Sequence, residues 1–320
     1  MSVRTQVLSA LLRSDNFISG EQLARELEVS RNAVWKAIKR LQEEGYTIES
    51  SVKKGYKLMD DLDIISEPSI KQHLRGSYIP SSIEIHKEIT STNARSKDLA
   101  EAGAPHGTVV IADSQSMGRG RLGRSFFSPS GTGVYMSIVL RPELTSEEAP
   151  QLTSLAAVAV SEAIELVAQV NVKIKWVNDI FLNKKKICGI LTEASLDFES
   201  GGINYIILGI GINVGSTDFP EELSEIATSI ENETPSKISR NQLIAEILNS
   251  LDRLLPEIKS GRYLEEVRSR SLVIGQEITV IKGSESYRAK ALAIDNKGAL
   301  IIEGPKGIEA LSSGEISIRL

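Results

Sequence analysis

The sequence predicts an α+β chain in three parts: an N-terminal winged helix-turn-helix, a central mixed α/β domain and a small C-terminal β-barrel. Three observations predict it. Helical spacing with serine caps fills the first sixty residues, strand and helix candidates alternate from about 67 to 260, and the last fifty residues hold short strands without helices. With 320 residues, 41% of them hydrophobic, the chain is long enough for two or three domains with cores of their own.

In the first part Val7, Leu8, Leu11 and Leu12 fall at helical spacing, as do Leu23 and Leu27, and then Val34, Ile38 and Leu41. Ser19 with Gln22 three residues on reads as a capping box, and Ser30 caps a helix that begins at Arg31. The short turn at 28–30 joins two helices in the helix-turn-helix pattern. Residues 45–49 and 55–58 then alternate like the two strands of a wing, with Lys53 and Lys54 at its tip, and the acidic stretch 60–63 reads as a linker. The predicted domains are 1–62, 67–268 and 271–320.

In the central part the strand candidates are 83–89, 108–113, 133–140, 172–182, 186–194 and 203–214, with helices at 92–101, 149–169 and about 239–255. Strands 172–182 and 186–194 are joined by a tight hairpin at 183–185, so the sheet is at least partly antiparallel. The last part has strands near 278–281, 287–294, 299–303 and 316–320, with a hairpin turn at 295–298.

The net charge of −5 hides an uneven distribution: residues 1–60 carry +2 and the other 260 carry −7. Segments 29–42 and 50–59 contain no acid, so the first part is locally basic although the total speaks against nucleic acid. The single Cys188 excludes an internal disulfide, and the three histidines have no zinc-site spacing, so no metal ligands are predicted. No signal-peptide core is present and no apolar run approaches the ~18 residues of a membrane span, which predicts a cytoplasmic protein without a membrane partner.

Four segments carry candidate chemistry. Three arginines crowd into Gly-Arg-Gly-Arg-Leu-Gly-Arg at 118–124, where they repel unless an anion sits among them; an exposed surface turn is the alternative. Gly118, Gly120 and Gly123 formally match the dinucleotide fingerprint, but helix-hostile sequence follows instead of a helix, so the match is spurious. In the second segment, 175–179 with Lys186 and Gly189, a two-residue hairpin loop puts Asp179 and Lys186 on one face and a three-residue loop separates them. A solvated salt bridge is its alternative. In the third, Gly209, Gly211 and Asn213 share one strand face, either as a floor for a flat ligand or to admit a helix. The fourth, Ser91-Thr92-Asn93, starts a helix and is also what any N-cap looks like.

Together and in this order these segments resemble the biotin–protein ligase family, also described as biotin–[acetyl-CoA-carboxylase] ligases. The N-terminal winged helix makes the chain similar to the bifunctional biotin operon repressor/ligases. The likeness covers nearly the whole chain and rests most specifically on GRGRLGR at 118–124 and KWVNDI with KKICGI at 175–190. It implies a synthetase-like central domain and an SH3-like barrel. It also implies an activity: biotin and ATP, with Mg²⁺, give biotinyl-5′-AMP, and biotin then passes to a lysine of a biotin carboxyl carrier protein, an acetyl-CoA carboxylase subunit or other carboxylase carrier domain.

By motif position the resemblance assigns biotin to Ser91, Thr92, Asn93, Gln115, Gly118, Arg119, Gly120, Arg121, Lys186 and Gly189. It assigns ATP to Arg121, Arg124, Phe126, Asn178, Lys186, Asn213 and Arg319, and the chemistry to Lys186, Arg119, Arg121 and Asp179. Operator DNA falls to Ser30, Arg31, Asn32, Trp35, Lys36, Lys39, Lys53 and Lys54, read by a homodimer that forms when the adenylate is bound. Val177 replaces a proline frequent in the family, and Phe126 a tryptophan. Two other functions compete: a winged-helix sensor that keeps the pocket without transferase activity, and a lipoate ligase.

Overall fold

Serine hydroxyls start the helices of the first part. In the computed structural model, which describes residues 2–59, 63–76, 78–196, 202–282, 285–312 and 315–318, three helices stand first: α1 (Val3–Leu12), α2 (Gly20–Glu26) and α3 (Arg31–Glu43). Ser2, Ser19 and Ser30 cap them by accepting from the amides of Thr5, Gln22 and Ala33. The capping box at Ser19 is only half formed, because the Gln22 side chain donates to Glu26 at 2.8 Å. β1 (Ile48–Ser51) and β2 (Gly55–Leu58) pair antiparallel as the wing. A Cβ on Gly55 would fall 2.1 Å from the Ile18 carbonyl, so only glycine lets the wing return against Ile18. Val7, Leu8, Leu11, Leu23, Val34, Ile38 and Leu41 form the core beneath.

α4 (Glu67–Lys71) packs on α1, and the first compact unit runs to Leu74; of the expected linker at 60–63, residues 60–62 lie outside the described residues.

The second unit, Arg75–Leu320, is built on a seven-stranded sheet. Its elements in chain order are β3 (Ser82–His86), α5 (Thr92–Glu101), β4 (Thr108–Ala112), β5 (Gly133–Leu140), α6 (Ala149–Ala168), β6 (Lys173–Lys175), β7 (Asp179–Leu182), β8 (Lys185–Leu196) and β9 (Ile203–Asn213). The sheet order is β3-β4-β5-β9-β8-β7-β6, with only the β3–β4 pair parallel. Every position of β5 is buried, as a central strand covered on both faces requires. The short α7 (Glu221–Ser224) and α8 (Ile230–Glu233) lead to α9 (Arg240–Leu254) and α10 (Leu264–Ser269), and α9 and α10 both pack against α6.

Three sequence expectations change here. The stretch 172–182 is not one strand but a hairpin, β6 and β7, folded at 176–178 around a cis Trp176–Val177 peptide. The β7–β8 turn holds two residues, Asn183 and Lys184, both at positive φ, and Lys185 already pairs with Leu182. Finally, α6 is long and apolar enough to cross a membrane, with a mean hydropathy of 1.4, which the run-length reading missed because Thr153, Ser154 and Ser161 interrupt it. Its apolar surface faces the interior, where Leu152, Leu155, Val158 and Ile164 are fully buried.

The C-terminal segment adds β10 (Glu277–Lys282), β11 (Glu285–Ile294), β12 (Leu300–Gly304), β13 (Gly307–Leu311) and β14 (Glu315–Ile318), in the antiparallel order β13-β12-β11-β10-β14. The turn at 295–298 forms as expected, with Asp295 Oδ1 accepting from the Lys297 and Ala299 amides. Trp176 Nε1 donates to the Gly298 carbonyl at 3.0 Å, which ties this turn to the β6–β7 hairpin.

Candidate active site

One face of the sheet carries the site. Strand pairing aligns Tyr135 with Gly211, Ser137 with Gly209, and Gly211 in turn with Gly189, so these residues share a face. The glycine floor is covered in two ways. A Cβ on Gly209 would lie 2.1 Å from Asn93 Oδ1, so this glycine admits α5; one on Gly211 would lie 2.7 Å from the Phe126 ring. The helix reading thus holds at Gly209, while Gly211 admits the Phe126 ring. Phe126 stands over the floor, edge-on to Tyr135 at 6.3 Å between ring centroids.

At the start of α5, Ser91 occupies the N-cap position without making a capping bond. Ser2, Ser19, Ser30, Ser66, Ser229 and Ser239 all cap their helices. The simple N-cap explanation thus fails for the one serine that lines the cleft. Behind it the Thr92 amide donates to Gln115 Oε1 at 2.9 Å, and Gln115 Nε2 donates to Ser128 Oγ at 3.0 Å. Ser137 Oγ lies 2.7 Å from Thr92 Oγ1 and 2.6 Å from Asn93 Oδ1, and Asn93 Nδ2 donates to Glu193 at 2.6 Å. Asn93 lines the cleft, but its amide holds its neighbours together.

The two-residue turn brings Asp179 and Lys186 to one face, as the sequence argument required. Lys186 Nζ lies 2.7 Å from Asp179 Oδ1, an ion pair approached off the hydrogen-bonding direction. The side chains are 33% and 19% exposed, too sheltered for the solvated surface pair considered above. A bulge does further work. Phe181 opposes Lys186 while Asp179 opposes Gly189, which leaves Ile187 as the extra residue and puts Lys186 and Gly189 on one face although they are three apart. A Cβ at Gly189 would meet Lys186 Nζ at 3.2 Å, so the bare position leaves room for the lysine over the floor. Cys188 is fully buried, and burial pushes its thiol pKa far up, so it stays protonated and inert.

The arginine loop is an ordered turn. Gly120 N donates to the Arg124 carbonyl at 2.7 Å and Phe126 N to the Gly118 carbonyl at 2.9 Å. No α-helix follows it. Gly118 is required, since a Cβ would fall 2.4 Å from the Phe126 carbonyl, and Gly123 sits at φ +74°. Arg121 Nη1 donates to Asn178 Oδ1 at 3.0 Å, and Arg119, Gly120, Arg121, Asn178 and Lys186 all line the cleft with Ser91, Thr92 and Gln115. Arg124 is exposed on the loop, Asn213 is buried with its amide donating to the Thr228 carbonyl, and Arg319 lies outside the described residues.

Sequence reasoning missed the groups that join the two ends of the segment between β4 and β5, near 113 and 130–133. Arg240, 4% exposed, donates to Asp113 Oδ1 at 2.8 Å and to the Gly133 carbonyl at 3.2 Å. Burial opposes ionisation of Asp113, yet the Ser130 hydroxyl, Arg240 and the Gly131 amide together hold its pKa below the usual carboxylate value. The partners are more than a hundred residues apart, so no local pattern reveals them. Ser137 was findable, as the one polar residue in the apolar run Gly133–Leu140.

A second candidate surface lies on the first unit. Along α3, Val34, Ala37, Ile38 and Leu41 are buried while Arg31, Asn32, Trp35, Lys36 and Lys39 are exposed. Trp35 keeps half of its surface in solvent, with Lys39 Nζ 6.0 Å from its ring centre. Lys53 and Lys54 are exposed at the wing tip, and Ser30 is used as the cap of α3.

Residues 3–57 match the family model described as HTH domain, 85–213 match the Biotin/lipoate A/B protein ligase family, and 273–319 match the Biotin protein ligase C terminal domain. The bifunctional ligase/repressor BirA of Bacillus subtilis is 37% identical, covering 99% of each chain. That of Escherichia coli is 30% identical over 98% of this chain and 96% of its own. Among solved structures, biotin protein ligase from Aquifex aeolicus in complex with biotin and ATP gives a TM-score of 0.64 at 31% identity, over 75% of this chain and 99% of that one.

Proposed function

The chain belongs to the biotin–protein ligase family, in the form that carries an N-terminal HTH domain, and on that premise we propose a ligase that is also a transcriptional repressor. It forms biotinyl-5′-AMP from biotin and ATP, transfers biotin to a lysine of a biotin carboxyl carrier protein, and represses biotin genes in response to the adenylate. The observation that carries this reading is the cleft itself. It joins a polar end, Ser91, Thr92 and Gln115, to three cations, Arg119, Arg121 and Lys186, over a floor of glycine.

In the first step a biotin carboxylate oxygen attacks the α-phosphorus of ATP and pyrophosphate leaves. Two anions must approach, so the barrier is largely electrostatic, and cations already fixed in place lower it most. Lys186, positioned by Asp179, faces the reacting oxygens, while Arg121, positioned by Asn178, closes the loop with Arg119, Gly118 and Gly120. Phe126 forms an apolar wall over Gly189 and Gly211. Arg124, Asn178, Asn213 and Arg319 serve the nucleotide.

In the second step a carrier lysine attacks the mixed anhydride and AMP leaves. The amine must be neutral, against a free pKa of about 10.4. Asp179 orients it or takes its proton. Mg²⁺ needs no dedicated cage of three or more protein groups, because one or two carboxylates together with substrate phosphates commonly hold it. We infer that the ion arrives on the ATP phosphates.

The functional limits we assign are 1–62, 67–268 and 271–320. Arg31, Asn32, Trp35, Lys36 and Lys39 read the operator and Lys53 and Lys54 meet its backbone, with Ser30 starting the helix that carries them. One such head reads too few bases, so repression requires a homodimer, formed in the cytoplasm when the adenylate binds. Incubation with ATP, labelled biotin and a carrier domain tests the enzyme: labelled carrier is expected. Bound adenylate with unlabelled carrier would make the chain a sensor. Labelling only when lipoate replaces biotin would make it a lipoate ligase.

A further inference from the structure

The hydrogen-bond chain behind Thr92 has a direction, and Glu193 sets it. A carboxylate only accepts, so the contact at 2.6 Å fixes Asn93 Nδ2 as its donor and turns Asn93 Oδ1 toward Ser137. Ser137 has one hydroxyl proton and two oxygen neighbours, Asn93 Oδ1 at 2.6 Å and Thr92 Oγ1 at 2.7 Å. Asn93 Oδ1 cannot donate, so the Ser137 proton goes there. The Thr92 hydroxyl then donates to Ser137. Its other near neighbour, Gln115 Oε1 at 3.2 Å, is left as a second acceptor, already oriented by the Thr92 amide at 2.9 Å. Gln115 is held in that orientation from its other end, where Nε2 donates to Ser128. Ser137 is fully buried, and the close approach of Gly209 to Asn93 leaves the chain no room to re-form elsewhere.

We propose that Glu193 is a positioning and specificity residue: through Asn93 and Ser137 it makes Thr92 Oγ1 and Gln115 Oε1 a pair of acceptors facing the cleft, which select a ligand ring bearing N–H donors. This rests on the biotin reading, because the ureido ring is such a ligand and the dithiolane ring of lipoate is not. Glu193 lies on β8, is exposed at its outer end and touches no substrate, so it acts only by polarity. Reverse the polarity at 193 and the whole chain reverses. A donor there turns Asn93 over, Ser137 then donates to Thr92, Thr92 donates to Gln115 Oε1, and both acceptors are consumed within the protein.

The test is steady-state adenylate formation by the full-length protein, with KM measured separately for biotin and ATP. Glu193→Lys is expected to raise the biotin KM about 10-fold or more, the usual worth of a recognition hydrogen bond, and to leave the ATP KM within twofold. Glu193→Gln, which still offers Asn93 an oxygen, is expected to match the wild type. An unchanged biotin KM in Glu193→Lys would overturn the proposal, and so would an equal rise in Glu193→Gln while its melting temperature stays at the wild-type value. Both results leave the ligase reading standing, because wild-type adenylate formation in the same assay reports on that separately.

Discussion

Cations are handled in opposite ways in the two units. On α3 and the wing, Arg31, Lys36, Lys39, Lys53 and Lys54 project into solvent, and none forms an ion pair among the described residues. In the cleft, Lys186 is paired with Asp179 and Arg121 with Asn178, and Asp113, at the end of β4, is paired with the buried Arg240. The difference follows from the two anions. A DNA backbone repeats its charge, so long exposed side chains that adapt to it suffice, and affinity comes from their number. A phosphorus under attack develops charge at one place, so its cations must already be there.

The comparison breaks first at Lys186. Lys186→Ala is expected to slow adenylate formation by about 10²–10³, while operator binding at saturating preformed biotinyl-adenylate stays at the wild-type level. A loss below tenfold would show that fixed charge is not what drives the first step.

Next comes the Asp113–Arg240 pair. Arg240→Ala leaves Asp113 without its buried counter-charge and is expected to cost about 3 kcal/mol in urea unfolding. Asp113 has its pKa depressed in the folded protein, so its contribution is present above the unfolded value of about 3.9 and is lost as pH falls through the lower folded value. The gap between wild type and variant should therefore narrow below about pH 4; a constant gap would mean that packing, not charge, is responsible.

On the head, Lys36→Ala is expected to lower the salt slope of operator binding by about one with adenylate formation unchanged. An unaltered slope would remove Lys36 from the phosphate contacts. The smallest effects contrast two serines at the same helical position. Ser30→Ala should cost about 1 kcal/mol of stability, because Ser30 caps α3; Ser91→Ala should leave the melting temperature alone and raise the biotin KM, because Ser91 caps nothing. Equal stability losses would return Ser91 to an ordinary cap.

Much of this was legible in the sequence because it is local. Caps, alternation and turn residues predicted α3, α5, α6, β5 and the wing, and the two-residue turn that joins Asp179 to Lys186 follows from strand alternation once its length is known. Three kinds of feature were not legible. The fold of 172–182 into β6 and β7 is hidden because Val172, Ile174 and Trp176 before the turn and Ile180 and Leu182 after it keep one alternation phase. β13 was missed because Gly307–Leu311 is only five residues long and its apolar residues, Ile308, Ala310 and Leu311, do not alternate cleanly. The Asp113–Arg240 pair and the Asn93–Glu193 contact join residues a hundred or more apart, and no spacing rule reaches that far.

Both units serve one regulated enzyme only if the adenylate made in the cleft governs the head. Operator binding by the wild-type protein, titrated with biotin in the presence of ATP, measures that link directly. Operator affinity is expected to rise as biotin saturates, with biotin-free protein binding weakly. An affinity indifferent to biotin, in protein that demonstrably forms the adenylate, would contradict the account and leave two unrelated activities on one chain.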